Sequence, residues 1–258
     1  SRARMHPFEN EFFRLETVEP GLWLLSEKVI RSLIRSNVWI VEGRDADLVI
    51  DAGWGVVAWL MEALCPNREK PLWLAMTHAH CDHINQHGRF HDRRFGHADA
   101  LDIVRSPNPH NTNAQPFTPQ LKLIDRGFEY LGFDAQRYGE NFRPSDLTDV
   151  VGEGDQIDLG DVVLDIIETP GHSPDSLTFI DAKRKWMFTG DVLMNGYIVD
   201  VLSHSSKKDI LRSHQRLIAQ EFDQIFGGHQ APMNRSRAEQ IVARYIEHKA
   251  KEGISLAS

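Results

Sequence analysis

Apolar residues along the chain keep two rhythms. Runs of alternating or continuous apolar side chains at 21–27 (GLWLLSE), 37–43 (NVWIVEG), 47–53 (DLVIDAG) and 71–77 (PLWLAMT) predict β-strands, broken by turn residues such as Gly43, Asp45 and Gly53. The pattern returns at 156–160, 162–169, 176–181 and 185–190, and 223–228 predicts a last strand. Helical spacing separates these blocks. Val57, Leu60, Met61 and Leu64 fall at i, i+3, i+4 and i+7 and stop at Pro66. Residues 98–105 predict a short helix, while Ser-x-x-Asp at 206–209 and Ser-x-x-Glu at 236–239 read as caps of two more. Two sets of strands followed by helices predict two sheets with helices outside, in one domain spanning 1–258.

Between Ser106 and about Gly154 the pattern fails, with Pro107, Pro109, Pro116, Pro119 and Pro144 spread through it. An irregular stretch of this length inside a domain is often a binding loop. Its aromatics, Phe117, Phe128, Tyr130, Phe133, Tyr138 and Phe142, either line an apolar substrate pocket or pin the insertion to the core.

Composition narrows the classes. A net charge of −8 argues against a non-specific nucleic-acid surface. No apolar run reaches the ~18 residues of a membrane span. The first residues lack a secretory signal, although the chain starts without methionine, and a cytoplasmic location is the expectation. The two cysteines, Cys65 and Cys81, suggest no disulfide framework and a reducing compartment. Self-association into a homodimer is left open.

The candidate chemistry starts at LAMTHAHCDHINQHGRF, residues 74–90. Strand side chains alternate, so His78 and His80 are expected on one side at the end of a strand. Asp82 and His83 follow the turn, at the start of a helix, where they could face a second ion. Imidazole nitrogen and carboxylate oxygen suit zinc and related divalent metals. A lone H-x-H is weak, but H-x-H-x-D-H is not. Three later segments, ETPGHSPDS with His172, MFTGDV with Asp191 and IFGGHQ with His229, each end an apolar strand at glycine followed by a metal-competent residue.

In order and separation, His78, His80, Asp82, His83, His172, Asp191 and His229, with VIDAG at 49–53, resemble the metallo-β-lactamase superfamily over roughly residues 20–235. The resemblance implies a four-layer αββα sandwich with a two-metal site between the sheets. It assigns His78, His80 and His172 to one ion and Asp82, His83 and His229 to the other. Asp191 would bridge them, and Asp51 would orient a ligand from behind. The ions would be zinc, with manganese, iron or cobalt as alternatives. Two divalent ions, the Asp82 and Asp191 carboxylates and one hydroxide sum to about +1, a centre that activates water and polarises a carbonyl or phosphoryl oxygen. Hydrolysis follows, with Asp82 orienting the nucleophile or moving its proton.

Departures narrow the branch. Asp191 stands where antibiotic-hydrolysing lactamases near the type enzymes carry cysteine, which disfavours β-lactamase as the main activity. His80 stands where oxygen-reducing diiron relatives carry glutamate. Little chain follows His229 for the helical domain of typical glyoxalase II enzymes. Residues 169–200 are similar to the acyl-CoA thioesterase-like branch, which implies a small-molecule thioester, ester or lactone substrate with an apolar acyl part. Phosphodiester or phosphonate hydrolysis or β-lactamase activity on the same site, and a metal-binding scaffold or sensor without catalysis, are the alternatives.

Other residues are weighed against plainer roles. Tyr197 follows Asp191 at an offset unlike the lactonase tyrosine, so packing is favoured over a catalytic oxyanion role. His204 is expected at the surface or in a structural role. His87, His91 and His97 are read as non-ligands, and Cys81 as a packing residue.

Overall fold

The computed structural model describes residues 5–56, 69–90, 92–114 and 142–257. Strands β1 (Phe8–Glu9), β2 (Phe13–Glu19), β3 (Leu22–Glu27), β4 (Val38–Val41), β5 (Asp47–Ile50), β6 (Leu72–Ala75), β7 (Arg94–Gly96) and β8 (Asp149–Val150) form one sheet in sequence order. It is antiparallel as far as β5 and parallel beyond. The second sheet holds β9 (Gln156–Asp158), β10 (Val163–Glu168), β11 (Leu177–Asp181), β12 (Trp186–Gly190), β13 (Gln224–Gly227) and β14 (Met233–Asn234). Helices α1 (Cys81–Ile84), α2 (Leu101–Arg105), α3 (Lys207–Ile218) and α4 (Arg235–Lys251), with 3-10 turns at His87–Arg89 and Ala98–Ala100, complete the described elements.

Strand alternation explains the layers. On β4, Trp39 and Val41 point to the core between the sheets, whereas Val38 and Ile40 point to the outer face. On β12, Trp186 and Phe188 join the same inner core while Met187 faces outward. The inner core also takes Leu48, Ile50, Leu164, Phe179 and Phe226. Phe188 and Phe226 stack at 5.3 Å between ring centroids, and Trp39 meets Phe226 edge-on at 5.1 Å. Outside the second sheet, Ile210, Leu211 and Leu217 of α3 and Ile241, Val242 and Tyr245 of α4 cover Met187 and Ile225. Val104 of α2 packs on the outer face of the first sheet with Val49 and Leu74. The result is the expected αββα arrangement.

Several local expectations change. Strands β1, β2, β7, β8 and β14 had no place in the sequence reading. Four of these are only two or three residues long, too short to show a period. The helix expected to start from a Ser236 cap starts earlier, because Asn234 accepts the Arg237 N–H at 2.9 Å. Ser206 does cap α3, accepting from Asp209 N. At 98–105 a 3-10 turn, Ala98–Ala100, precedes α2, and His97 caps it by accepting from Asp99 N at 3.0 Å. The helix expected around 57–64, with Cys65, lies outside the described residues, as does His91. The aromatics Phe117 to Tyr138 of the insertion do too. Phe142 is described, and it packs into the core with Val29, Ile30 and Trp54.

His214 on α3 supplies a pH test of the outer layer. It is fully buried, donates from Nε2 to Val192 O and lies edge-on to Tyr245. Burial pushes its pKa down to about 4 from an ordinary 6.5. A depressed imidazole contributes stability that is complete above pH 6.5 and lost as pH falls through 4, of the order of 3 kcal/mol. Thermal melts from pH 7.5 to 4.5 should therefore fall more steeply for the wild type than for His214→Asn; parallel profiles would reject this.

Candidate metal centre

The candidate residues sit on the loops that leave the carboxyl ends of β5, β6, β10, β12 and β13. β6 stops at Ala75, so His78 and His80 are not on the strand itself, and strand alternation is not what aims them. Side-chain bonds to backbone N–H groups do that. Asp51, at φ +65, accepts Thr77 N on Oδ1 at 2.8 Å and the Thr77 hydroxyl on Oδ2 at 2.7 Å. Asp175 accepts Ala79 N at 2.7 Å, and Thr112 O accepts Cys81 N at 2.8 Å. The chain then turns into α1, which carries Asp82 and His83 inward. Across to the other sheet, Asn37 N, just before β4, donates to Gly228 O at 2.7 Å and the Asn37 side chain donates to Gly227 O and Gln230 O. These bonds fix the His229 loop.

Two donor groups result: His78, His80 and His172, and beside them Asp82, His83, Asp191 and His229. In each group the donor atoms lie within 4.8 Å of one another. Asp191 Oδ2 lies between them, 3.3 Å from His83 Nε2, 3.3 Å from His229 Nε2, 3.5 Å from His172 Nε2 and 3.7 Å from His78 Nε2. Asp82 Oδ2 is 3.1 Å from His229 Nε2 and 3.4 Å from His83 Nε2.

Outer partners decide which nitrogens face inward as lone pairs. A carbonyl or carboxylate only accepts, so a ring nitrogen bonded to one must carry the hydrogen. His172 Nδ1 donates to Val199 O at 3.0 Å, and His229 Nδ1 donates to Arg35 O at 3.0 Å. His83 Nδ1 donates to Asp51 Oδ2 at 2.9 Å. The Thr77 hydroxyl spends its hydrogen on Asp51, so it accepts from His78 Nδ1 at 2.9 Å. In the neutral rings the inner Nε2 atoms are lone pairs, converging on each other and on two carboxylates. His78 Nε2, His83 Nε2 and Asp191 Oδ1 are buried without a hydrogen-bond partner. Lone pairs and carboxylates converging in a buried site require positive charge among them, and these donor types fit a divalent transition metal. Asp51 also lies within reach of His78 and His83. Its oxygens are already engaged by Thr77 and His83, which leaves it behind the donors rather than among them.

The electrostatics show where positive charge is drawn. Burial and neighbouring histidines hold His78 and His80 well below the usual imidazole range. Burial opposes charge on His229 too, but Asp191 and Asp82 push it up to about 10. His83 is raised in the same way against burial by Asp82, Asp191 and Asp51. Burial would raise Asp82 and Asp191, yet His83 and His229 outweigh it and hold both carboxyls well below their ordinary range.

Other candidates separate clearly. Cys81 is buried beside Trp54 and Ala114, and burial, with the Asp82 charge adding, raises its thiol well above the usual range. It packs and offers no thiolate. His87 bonds Ile84 O through Nδ1, and burial lowers it to about 4; His97 bonds Glu168 at 2.7 Å. Neither belongs to the donor groups. Tyr197 is 76% exposed, so the packing role expected for it fails. His204 takes the structural role expected of it: it is half-buried, with Nε2 2.6 Å from His80 Nε2. Thr77 and Asp175 went unnoticed in the sequence. The Pro-Asp pair after His172 was a visible signal for Asp175, whereas a threonine at a strand end carries none. Beside His80 opens a cavity of about 540 Å³ whose walls include Asp99, Asp102, His110, Asn111 and His204.

Comparison with known proteins agrees with this architecture. The model of the metallo-beta-lactamase superfamily matches residues 32–229. The acyl-coenzyme A thioesterase MBLAC2 of Gallus gallus is 30% identical over 260 residues, covering 95% of this chain and 89% of that protein. Its Homo sapiens counterpart is 27% identical over 259 residues, with the same coverage. Among solved structures, a metallo-beta-lactamase family protein from Thermus thermophilus superposes with a TM-score of 0.66 at 23% identity, covering 91% of this chain and 81% of that one. The FIM-1 metallo-beta-lactamase of Pseudomonas aeruginosa gives 0.61 at 17% identity, covering 92% and 96%. Those two likenesses concern the fold. With the family model spanning most of its length and thioesterase relatives matching it nearly end to end, the chain belongs to the metallo-beta-lactamase superfamily and is a metal-dependent hydrolase.

Proposed function

We propose that the chain hydrolyses a thioester, ester or lactone, with an acyl-coenzyme A type of thioester favoured. The observation that carries this reading is the near end-to-end similarity to acyl-coenzyme A thioesterases in a chain with the whole inward-facing donor set. In this reading His78, His80 and His172 hold one divalent ion, Asp82, His83 and His229 hold a second, and Asp191 bridges them, with zinc first among candidate metals. When bound, such ions supply an activated water and polarise the acyl carbonyl. The residues around them orient and exclude. Asp51 and Thr77 keep His78 and His83 in the tautomers that bind. Asp82, beside His83 and His229, would orient the attacking water or move its proton.

The rim suits an acyl group. Leu33, Tyr197 and Val201 are exposed apolar side chains at 69%, 76% and 72%. Leu33 is two residues from Arg35, whose carbonyl holds His229, and Tyr197 and Val201 flank Val199, whose carbonyl holds His172. A tail lying there would bury apolar surface beside the donors, at roughly 25 cal/mol per Å². This gives Tyr197 a binding role in place of the catalytic one. The cavity beside His80 would take the rest of the substrate. Its Asp99 and Asp102 oppose phosphate groups, those of a phosphodiester and of coenzyme A alike, so it suits the uncharged part next to the acyl bond. The 106–154 insertion expected to hold the tail lies mostly outside the described residues, and a single domain over 1–258 is part of the proposal.

The test is a metal-quantified assay over acyl-coenzyme A thioesters of several lengths, an acyl homoserine lactone, a cephalosporin and a phosphodiester. The thioesters should lead. A preference for the phosphodiester by orders of magnitude, or full metal loading with no hydrolysis of any of them, would overturn the reading.

A further inference from the structure

The segment 199–205, between β12 and α3, reaches two of the donor histidines from outside. Val199 O accepts from His172 Nδ1, Ser205 Oγ donates to His172 O at 2.8 Å, and His204 meets His80. The segment is itself anchored. Asp200 accepts the Tyr245 hydroxyl at 3.0 Å and pairs with buried Lys249 at 2.6 Å, both on α4, and Ser206 N donates to Gly171 O. His204 is therefore placed by the fold against His80.

Its position matters because His80 differs from the other four histidines. Each of those has its tautomer set by a group that can only accept, or by a hydroxyl whose hydrogen is already spent. The outer partner of His80 is another imidazole, which can donate or accept. His80 Nδ1 lies 3.1 Å from His172 Nε2, and the latter is a lone pair because His172 Nδ1 serves Val199. If His204 donates to His80 Nε2, then His80 Nδ1 carries the hydrogen, bonds His172 and closes the space between them. If His204 accepts, His80 carries its hydrogen on Nε2, and two lone pairs converge as a metal requires.

We propose that His204 is a positioning residue that accepts a hydrogen bond from His80 Nε2 and so keeps His80 Nδ1 free for the ion shared with His78 and His172. This rests on the metal site proposed above. It makes the segment 199–205 an outer clasp on that ion, with Val199 orienting one ligand and His204 another.

The test is zinc affinity by competition with a chromophoric chelator, for the wild type, His204→Phe, His204→Gln and His172→Ala. His204→Phe keeps the ring volume and loses the acceptor, and should weaken the tighter zinc equivalent about 10–100-fold while the melting profile of the metal-free protein stays unchanged. His204→Gln offers a carbonyl acceptor and should recover most of the affinity. Wild-type affinity in His204→Phe, or equal losses in Phe and Gln, would overturn the inference. If His172→Ala also binds zinc like the wild type, the metal site itself is wrong; loss in His172→Ala alone sinks only the role of His204. Should His204→Phe fail to fold, the tautomer of His80 in the zinc-loaded wild type, read from long-range ¹H–¹⁵N correlations, decides. Hydrogen on Nε2 supports the inference, and hydrogen on Nδ1 overturns it.

Discussion

Asp191→Asn is expected to lower kcat/KM by more than about 100-fold and to leave the purified protein short of metal, because an inner donor should matter at least as much as an outer partner. Its Oδ2 atom stands 3.3–3.7 Å from the inner nitrogens of His83, His229, His172 and His78. Asparagine fills the same volume but removes the negative charge. It also turns N–H donors toward lone pairs that otherwise converge on a cation. The same change removes the charge that raises His83 and His229. The metal-free variant should melt below the metal-free wild type, because the charge that stabilises the His83 and His229 imidazoliums is gone, while also losing activity and bound metal. Elemental analysis with thermal melts reads both effects. Full metal content with wild-type turnover would show that Asp191 is no part of the centre.

Gly228→Ala is expected to be nearly as damaging, for a steric reason. A Cβ there would collide with Asp191 Oδ1 and come within 3.0 Å of His83 Cε1 and the Gly190 carbonyl carbon. The backbone has little freedom to retreat, because Gly228 N donates to Gly190 O at 2.7 Å and Gly228 O accepts from Asn37 N. Overpacking of this kind costs about 1–3 kcal/mol, and here it falls on a donor that must point inward. Metal content and turnover should fall together while the far-UV circular dichroism holds. Gly154→Ala is the control: its φ is +87 and nothing lies within 4 Å of the added carbon, so only local strain results. Unchanged metal content in Gly228→Ala would mean that the donors tolerate displacement.

What could be read from the sequence follows from the kind of force involved. β3 to β6 and β9 to β13 announce themselves because their side chains feed a core between two sheets, which demands apolar residues at period two. β7, β8 and β14 owe their existence to pairing with a neighbouring strand, and their two or three residues hold no period of their own. The seven donor candidates were legible because chemistry restricts their type and each follows a strand. Their outer partners were not. Val199 and Arg35 act through backbone carbonyls, which any residue supplies. His204 lies 124 residues from His80, and only the packing of the 199–205 segment brings them together. His78 and His80 show a right grouping reached for an incomplete reason: the strand ends at Ala75, and Asp51, Thr77 and Asp175 do the aiming.

The central claim, that converging histidines and aspartates hold divalent ions that cleave an acyl bond, is tested most directly by one titration. Metal-free protein is loaded stepwise with zinc, and hydrolysis of a long-chain acyl-coenzyme A is followed at each measured occupancy. Turnover should be negligible without metal, rise with occupancy and saturate at two equivalents per chain. Hydrolysis independent of metal content, or two bound equivalents with no cleavage of any thioester, ester or lactone, would contradict the account.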